Sequence, residues 1–313
     1  MESSNQTSTN RFILLGLTDT TNLQVLCVLM FLIMYLVTIV ANFSFIIVVG
    51  TSVQLQTPMY FFLCNLSIID ICFSSTIVPT LLINTLAHDK SVPFLGCALQ
   101  MFFHLALGTA ECFILSVMAF DRYAAICKPL HYYKVLNKKV CICLASGSWV
   151  LSFLNSTIHV IFTFQLPFCR SNHVNHFFCE VPPFLYISCR DTWFNVVAMY
   201  ISASLIGLFS LILTLISYFY ITLTILNISS TEGRIKAFST CASHLTVVSL
   251  YFGAILFMYL HPHSDYFPES ARTMSLIYTV VTPMLNPLIY SIRNKEVQKN
   301  IKNKLNIQIH KTF

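Results

Sequence analysis

The chain has 313 residues, of which 56% are apolar and only 10% charged, against about 25% charged in an ordinary soluble domain. Mean hydropathy is +0.72. A soluble protein of this kind would expose large apolar patches, so the composition excludes a disordered chain, a collagen-like fibre and a conventional cytosolic enzyme, and points to a membrane protein. The net charge of +6 is scattered between long apolar runs. That argues against a nucleic-acid surface and fits basic residues flanking membrane spans.

The first residues, MESSNQTSTNRF, lack the basic start and short apolar core of a cleaved signal peptide. The first span is expected to be retained and to act as the targeting signal. Asn5-Gln6-Thr7 is a glycosylation sequon in this tail.

A bilayer-spanning helix needs about 20 mainly apolar residues. Residues 20–69, 91–110, 140–169, 192–231, 237–264 and 273–292 contain no Asp, Glu, Lys or Arg. A break at Thr51–Pro58 divides the first run, and the 91–110 run continues through Glu111 to Phe120. Helices are expected near 23–49, 58–80, 97–126, 140–162, 195–224, 237–260 and 272–292. The fold class is therefore an all-α, seven-transmembrane bundle, divided into a tail (1–22), a seven-span domain (23–292) and a basic C-terminal segment (293–313). In that segment Val297, Ile301 and Leu305 recur every four residues among Lys295, Lys299, Lys302 and Lys304. It reads as an amphipathic helix on the inner leaflet, against a solvated basic tail.

Seven spans put the ends on opposite sides. One set of segments holds Arg122, Lys128, Lys134, Lys138, Lys139, Arg234, Lys236, Arg293, Lys295, Lys299, Lys302, Lys304 and Lys311; the other holds Arg11, Lys90, Arg170, Arg190 and Arg272. Thirteen against five places the C-terminus in the cytoplasm and the N-terminus outside. Of 12 cysteines, Cys97, Cys169, Cys179 and Cys189 fall with polar loops on the outer side, where an oxidising compartment would allow three pairings. The sequons at Asn42, Asn65 and Asn155 lie inside spans and read as chance matches.

MAFDRYAAICKPLHY (118–132) resembles the odorant-receptor form of the Asp-Arg-Tyr motif found in rhodopsin-like G-protein-coupled receptors. TPMYFFLCNLSIID (57–70), SY (217–218), KAFSTCASHLTVV (236–248) and PMLNPLIYSIRNKEV (283–297) resemble the same family, in order and at its spacing. The chain departs from it at Ala41-Asn42, where Gly-Asn is usual, at Gln56, where His is usual, and at Tyr251-Phe252-Gly253, which inverts Phe-Tyr-Gly. Phe252 thus lacks a hydroxyl that the family carries near the pocket floor.

The resemblance implies plasma-membrane localisation, an odorant as ligand and a stimulatory, olfactory-type G protein as partner, with a rise in cyclic AMP. Coupling and activation would fall to Asp121, Arg122, Tyr123, Tyr218, Asn286, Pro287 and Tyr290, with Tyr290 swinging towards Tyr218. An intramembrane ionisable group such as Arg122 is expensive and marks function, and Pro287 permits a kink. Lys134, Lys138, Lys139, the short third inner loop and the basic tail are expected G-protein contacts. Asp70 and Glu111 are two carboxylates deep in spans; both cannot stay charged and unpaired. The resemblance implies a sodium ion there, with Asn286 and Asn42 nearby, against a protonated pair. It also implies a Cys97–Cys179 disulfide, which leaves Cys169 and Cys189 for each other.

The implied ligand pocket is lined by His104, Leu105, Gly108 and Thr109, by Ser202, Ala203 and Ile206, by Phe252, Ile255, Leu256 and Tyr259, and by Thr279. His104 lies seven residues beyond Cys97, about two turns or ~10 Å deeper. The lining is mostly apolar, which suits a small, volatile, weakly polar molecule. No acidic residue is expected in it, which disfavours an amine. His159 reads as a core histidine. His176-Phe-Phe-Cys179-Glu180 combines metal-ligand types, but with Cys179 in a disulfide it reads as loop beside a bridge. A transporter or channel is the alternative, disfavoured by the lack of repeats and broken helices. A membrane enzyme lacks a nucleophile–base pair.

Overall fold

The computed structural model describes residues 11–17, 20–87, 89–169, 172–260 and 269–293. In chain order these form β1 (Arg11–Leu14), α1 (Thr21–Thr51), α2 (Pro58–Leu86), β2 (Ser91–Pro93), α3 (Phe94–Cys127), a short α4 (Tyr132–Val135), α5 (Lys138–Phe164), β3 (His173–Val174), a short α6 (Val181–Tyr186), α7 (Trp193–Leu226), α8 (Thr231–Leu260), α9 (Glu269–Leu276) and α10 (Thr282–Arg293). A π-helical turn, Ile277–Val281, joins α9 to α10.

α1, α2, α3, α5, α7 and α8 are each long and apolar enough to cross a bilayer. The seventh crossing is composite: α9, the π turn and α10 run end to end. Seven helices form because the bilayer core offers no water to backbone amides, so each span must satisfy its own. Their lipid-facing surfaces stay apolar. Leu205, Leu208, Phe209, Ile212 and Leu215 on α7 are all exposed.

α3 is the hub. It packs against α2, α5, α7 and α8, and Met101, Ala106, Ala110, Ile114, Leu115 and Met118 on it are fully enclosed. At 34 residues it is about 50 Å long, well beyond the ~30 Å hydrocarbon core. It therefore carries side chains from one end of the bundle to the other.

The helices differ from the sequence expectation at three places. α2 runs on to Leu86 rather than 80, because Pro79 removes one backbone bond without ending an otherwise apolar helix. α8 begins at Thr231 rather than 237. A charge-free run underestimates a helix whose polar end projects beyond the bilayer. Ser230 caps it, its Oγ accepting from the Gly233 amide at 3.2 Å, with Glu232 in the first turn. The seventh helix is interrupted by the π turn, a feature that hydrophobic periodicity does not reveal.

The fourth difference is the sheet. Residues 11–14, read from sequence as tail, form a central strand, antiparallel to β2 and parallel to β3. Phe12 and Leu14 are fully buried. Phe12 packs edge-on against Phe168 at 5.4 Å and Phe184 at 4.8 Å. Two disulfides hold the same end, Cys97–Cys179 and Cys169–Cys189, with Cα separations of 5.4 and 5.8 Å. These are the pairs implied by the resemblance. Sheet, bridges and α6 make one end of the bundle a fixed cap.

Asn5 and the basic segment beyond Arg293 lie outside the described residues.

Candidate functional site

Below the cap, α3 presents His104, which is nine-tenths buried. Its ring lies 5.2 Å from that of Phe73 and 5.1 Å from that of Phe178. Phe178 arrives from the loop between α5 and α7, which the Cys97–Cys179 bridge folds down onto α3. Gln100 ties the join. Its Oε1 accepts from the Cys179 amide at 2.8 Å, and its Nε2 donates to the Thr76 carbonyl of α2 at 2.9 Å.

The same loop brings in a carboxylate. Glu180 Oε1 is 3.9 Å from His104 Nε2, and Glu180 Oε2 is 3.4 Å from His176 Nε2. The Ser275 hydroxyl donates to Oε2 at 3.5 Å. The sequence reading that no acid stands near the pocket residues is thereby overturned. Glu180 follows a cysteine in a loop, and only the bridge determines that the loop turns inward.

One turn below His104, Gly108 allows a close approach. A Cβ there would lie 3.2 Å from the Tyr278 hydroxyl. The Gly108 carbonyl accepts from the Tyr251 hydroxyl at 2.7 Å, and Tyr251 packs on Tyr278 with ring centroids 5.7 Å apart. The inverted Tyr251-Phe252 order thus puts the hydroxyl on the residue that faces α3, while Phe252 packs at the edge of the core.

The other expected lining residues divide. Leu105 packs on the cluster beneath the cap, and Ile206 and Ile255 on the main core. Ala203 is partly buried. Thr109 Oγ1 lies 3.4 Å from Asn155 Nδ2. Ser202 Oγ is 2.7 Å from His159 Nε2, so His159, set aside in the sequence reading, is tied to a residue of the expected pocket. Thr279 is buried, but its hydroxyl donates to its own helix, to the Ser275 carbonyl at 2.7 Å. Leu256 is 54% exposed and does not share the packed face of Ile255. Adjacent helical residues point about 100° apart. The Tyr259 side chain lies outside the described residues.

Towards the middle of the bundle, Asn286 Nδ2 donates to both oxygens of Asp70, at 3.0 and 3.2 Å. The Tyr278 hydroxyl donates to Glu111 Oε2 at 3.4 Å. Glu111 Oε1 and Asn286 Oδ1 are buried without a hydrogen-bond partner among the described residues. A water-sized void beside Asp70 and Asn286 is lined also by Ser67 and Tyr290 and, on its apolar side, by Phe45, Leu63, Leu66 and Pro287, with Glu111 outside it. Orphaned oxygens and carboxylates are the donor set of a hard cation, so these residues fit a sodium ion.

At the end opposite the cap, Arg122 Nη2 donates to Asp121 Oδ2 at 2.9 Å, and Nε to the same atom at 3.3 Å. The Tyr132 hydroxyl donates to Asp121 Oδ1 at 2.7 Å. Burial, then the Asp121 charge, pushes the Tyr132 hydroxyl upward from its ordinary range. Asp121 is fully buried and both its oxygens are served. Tyr123 lies 5.9 Å from Tyr220 and under Lys128 at 5.8 Å. Nearby, the Tyr218 hydroxyl meets His244 Nδ1 at 2.7 Å, and His244 Nε2 meets the Leu115 carbonyl at 3.1 Å. The carbonyl can only accept, so Nε2 carries the proton and Tyr218 donates. Tyr290 is buried with its hydroxyl unpartnered among the described residues. His244 and Tyr132 were legible within quoted motifs, but not in these roles. A shallow surface cleft opens beside Lys128, Pro129 and His131, next to Leu130, which is 94% exposed.

A bundle fixed at one end, with a charge-paired arginine at the other and polar side chains between, is a seven-helix membrane bundle. The sequence pattern of the olfactory receptor family matches residues 31–308. The chain is 48% identical over 298 residues to human olfactory receptor 5B12, covering 95% of each chain. It is 48% identical to human olfactory receptor 5B21, over 94% of this chain and 95% of that one. Mouse olfactory receptor 5AR1 is 44% identical, over 96% and 97%. The chain belongs to the olfactory receptor family. It is a multi-pass membrane protein and a member of a family of receptors, not enzymes. These similarities give a transporter or channel no support.

Proposed function

We propose that the receptor sits in the plasma membrane with its capped end and N-terminus outside and its C-terminus in the cytoplasm. It binds a small, volatile, mainly apolar odorant beside His104, Gly108 and the inner faces of α7 and α8. Binding favours the conformation that engages a stimulatory, olfactory-type G protein, and cyclic AMP rises. A ligand shifts the balance only by its differential affinity for the two states.

The observation that carries this reading is the latch at the uncapped end. Arg122 is held on Asp121, whose second oxygen is held by Tyr132. The arginine is thus kept from any partner protein until the helices move. The exposed Leu130, with Lys134, Lys138 and Lys139, offers the G protein an apolar point within a basic rim. Sodium between Asp70 and Glu111 would stabilise the closed arrangement by supplying the charge these buried groups lack.

The test is cyclic AMP in cells expressing the chain with an olfactory-type stimulatory G protein, against an odorant panel, beside Arg122→Ala. Surface display of both is verified with an N-terminal tag. The expected result is an odorant response in the parent that is lost in the variant. An equal response in both would remove Arg122 from the mechanism.

A further inference from the structure

Glu180 is a carboxylate without a full-time cation. Its side chain is only 17% exposed. Among the described residues its charged-group neighbours are two imidazoles, His104 from α3 and His176 from its own loop, and its one hydrogen-bond donor is the Ser275 hydroxyl of α9, at 3.5 Å. No Lys or Arg among the described residues pairs with it. Buried charges are normally paired, and a carboxylate enclosed this far is costly in the absence of a positive group.

The surroundings suit one kind of positive group. The rings of Phe73 and Phe178 lie 5.2 and 5.1 Å from that of His104, and Tyr278 packs on Phe73 at 5.4 Å. Aromatic faces attract a partly desolvated organic cation, and the carboxylate supplies the charge. His104 Nδ1 is buried and unpartnered among the described residues, so the cluster also retains an unused polar atom. We propose that the odorant this receptor prefers carries a protonated amine on an apolar body, and that Glu180 holds the ammonium against the aromatic rings around His104.

This rests on the odorant-receptor reading above and names the polar group of its ligand. Burial pushes the Glu180 carboxyl up from its ordinary 4.5 to about 7, opposed by the Ser275 hydroxyl. A cation would draw it back down, so amine binding and ionisation of Glu180 favour each other. Acidification works against both: Glu180, faced by His104, His176 and the Ser275 hydroxyl, takes up a proton. Ser275 does not titrate.

The experiment uses shape-matched pairs of volatiles, each a simple alkylamine and the hydrocarbon or ether of the same skeleton. They are applied to cells displaying the full chain with the stimulatory G protein, without added metal. Amines are expected to act at concentrations about tenfold or more below their neutral partners, with the preference shrinking as pH is lowered from neutral. Glu180→Gln should abolish the preference, and Glu180→Asp should restore part of it. The parent comparison stands even if Glu180→Gln fails to reach the surface. Neutral members acting as well as or better than the amines would overturn the ammonium proposal and leave the receptor reading intact. An unchanged preference in Glu180→Gln would do the same. A response that a chelator removes and zinc restores would put a metal in the cluster and also overturn it. Silence to every pair, in a chain whose basal cyclic AMP equals that of Arg122→Ala, would overturn both readings.

Discussion

The Asn42 side chain donates to the Pro283 carbonyl at 3.2 Å, and Pro283 lies four residues before Pro287. Pro287 has no N–H to give that carbonyl, so α1 supplies the missing donor to α10. Its other donor bond goes to Thr38 of its own helix, at 3.0 Å. Asn42→Ala should leave a buried carbonyl unpaired at a cost of about 1–3 kcal/mol. Thermal unfolding of purified receptor in lipid nanodiscs would show it as a lower midpoint, whereas unchanged stability would mean that the kink finds its own partner.

The latch at the uncapped end predicts a direction. Tyr132→Phe removes the donor to Asp121 Oδ1 while keeping the ring. Basal cyclic AMP should rise about two- to fivefold, the effect of roughly 1 kcal/mol on a two-state balance. A fall in basal signal would assign Tyr132 to the active arrangement instead.

His244 and Tyr218 should act as one unit. Each of His244→Phe and Tyr218→Phe breaks the same 2.7 Å bond. If that bond holds Tyr218 away from Tyr290, the double variant should raise basal signalling no more than the stronger single one. Additive effects would show independent roles.

Gly108 lies where α3 meets Tyr278. A methyl group at that position would be 3.2 Å from the Tyr278 hydroxyl and would push it off Glu111. Gly108→Ala should weaken odorant potency about tenfold, of the order of 1.4 kcal/mol, with surface display retained. Potency within twofold of the parent would place the odorant elsewhere.

Two ionic predictions follow from the carboxylates. Replacing choline by sodium in the medium should lower odorant potency in the parent, and Asp70→Asn should abolish that difference. At Glu180, the raised carboxyl means that the folded state binds more protons than the unfolded one between about 4.5 and 7. Its contribution to stability is therefore present below that window and is lost as pH rises through it. Unliganded parent should lose stability relative to Glu180→Gln across that interval, with the gap constant above it.

Much was legible in the chain order of residues. Length and freedom from charge locate spans because a bilayer imposes one length and one polarity on every crossing. The Asp121-Arg122-Tyr123 and Asn286-Pro287-Tyr290 motifs were readable because they are local in sequence. The N-terminal strand was not, since a strand of four residues acquires its meaning only from β2 and β3 on either side of it. Nor was the placement of Glu180, His159 or His244, whose partners lie 76, 43 and 26 residues away.

The sequence by itself determined that this is a seven-helix membrane receptor of the olfactory family, because hydropathy and contiguous motifs are properties of neighbours along the chain. The tertiary structure decided which polar groups meet: the carboxylate beneath the cap, the kink held by Asn42, and the tyrosine on His244. The physical reason is that helix rotation and loop folding fix which side chains face one another inside the bundle, and both are settled only when all seven helices have packed.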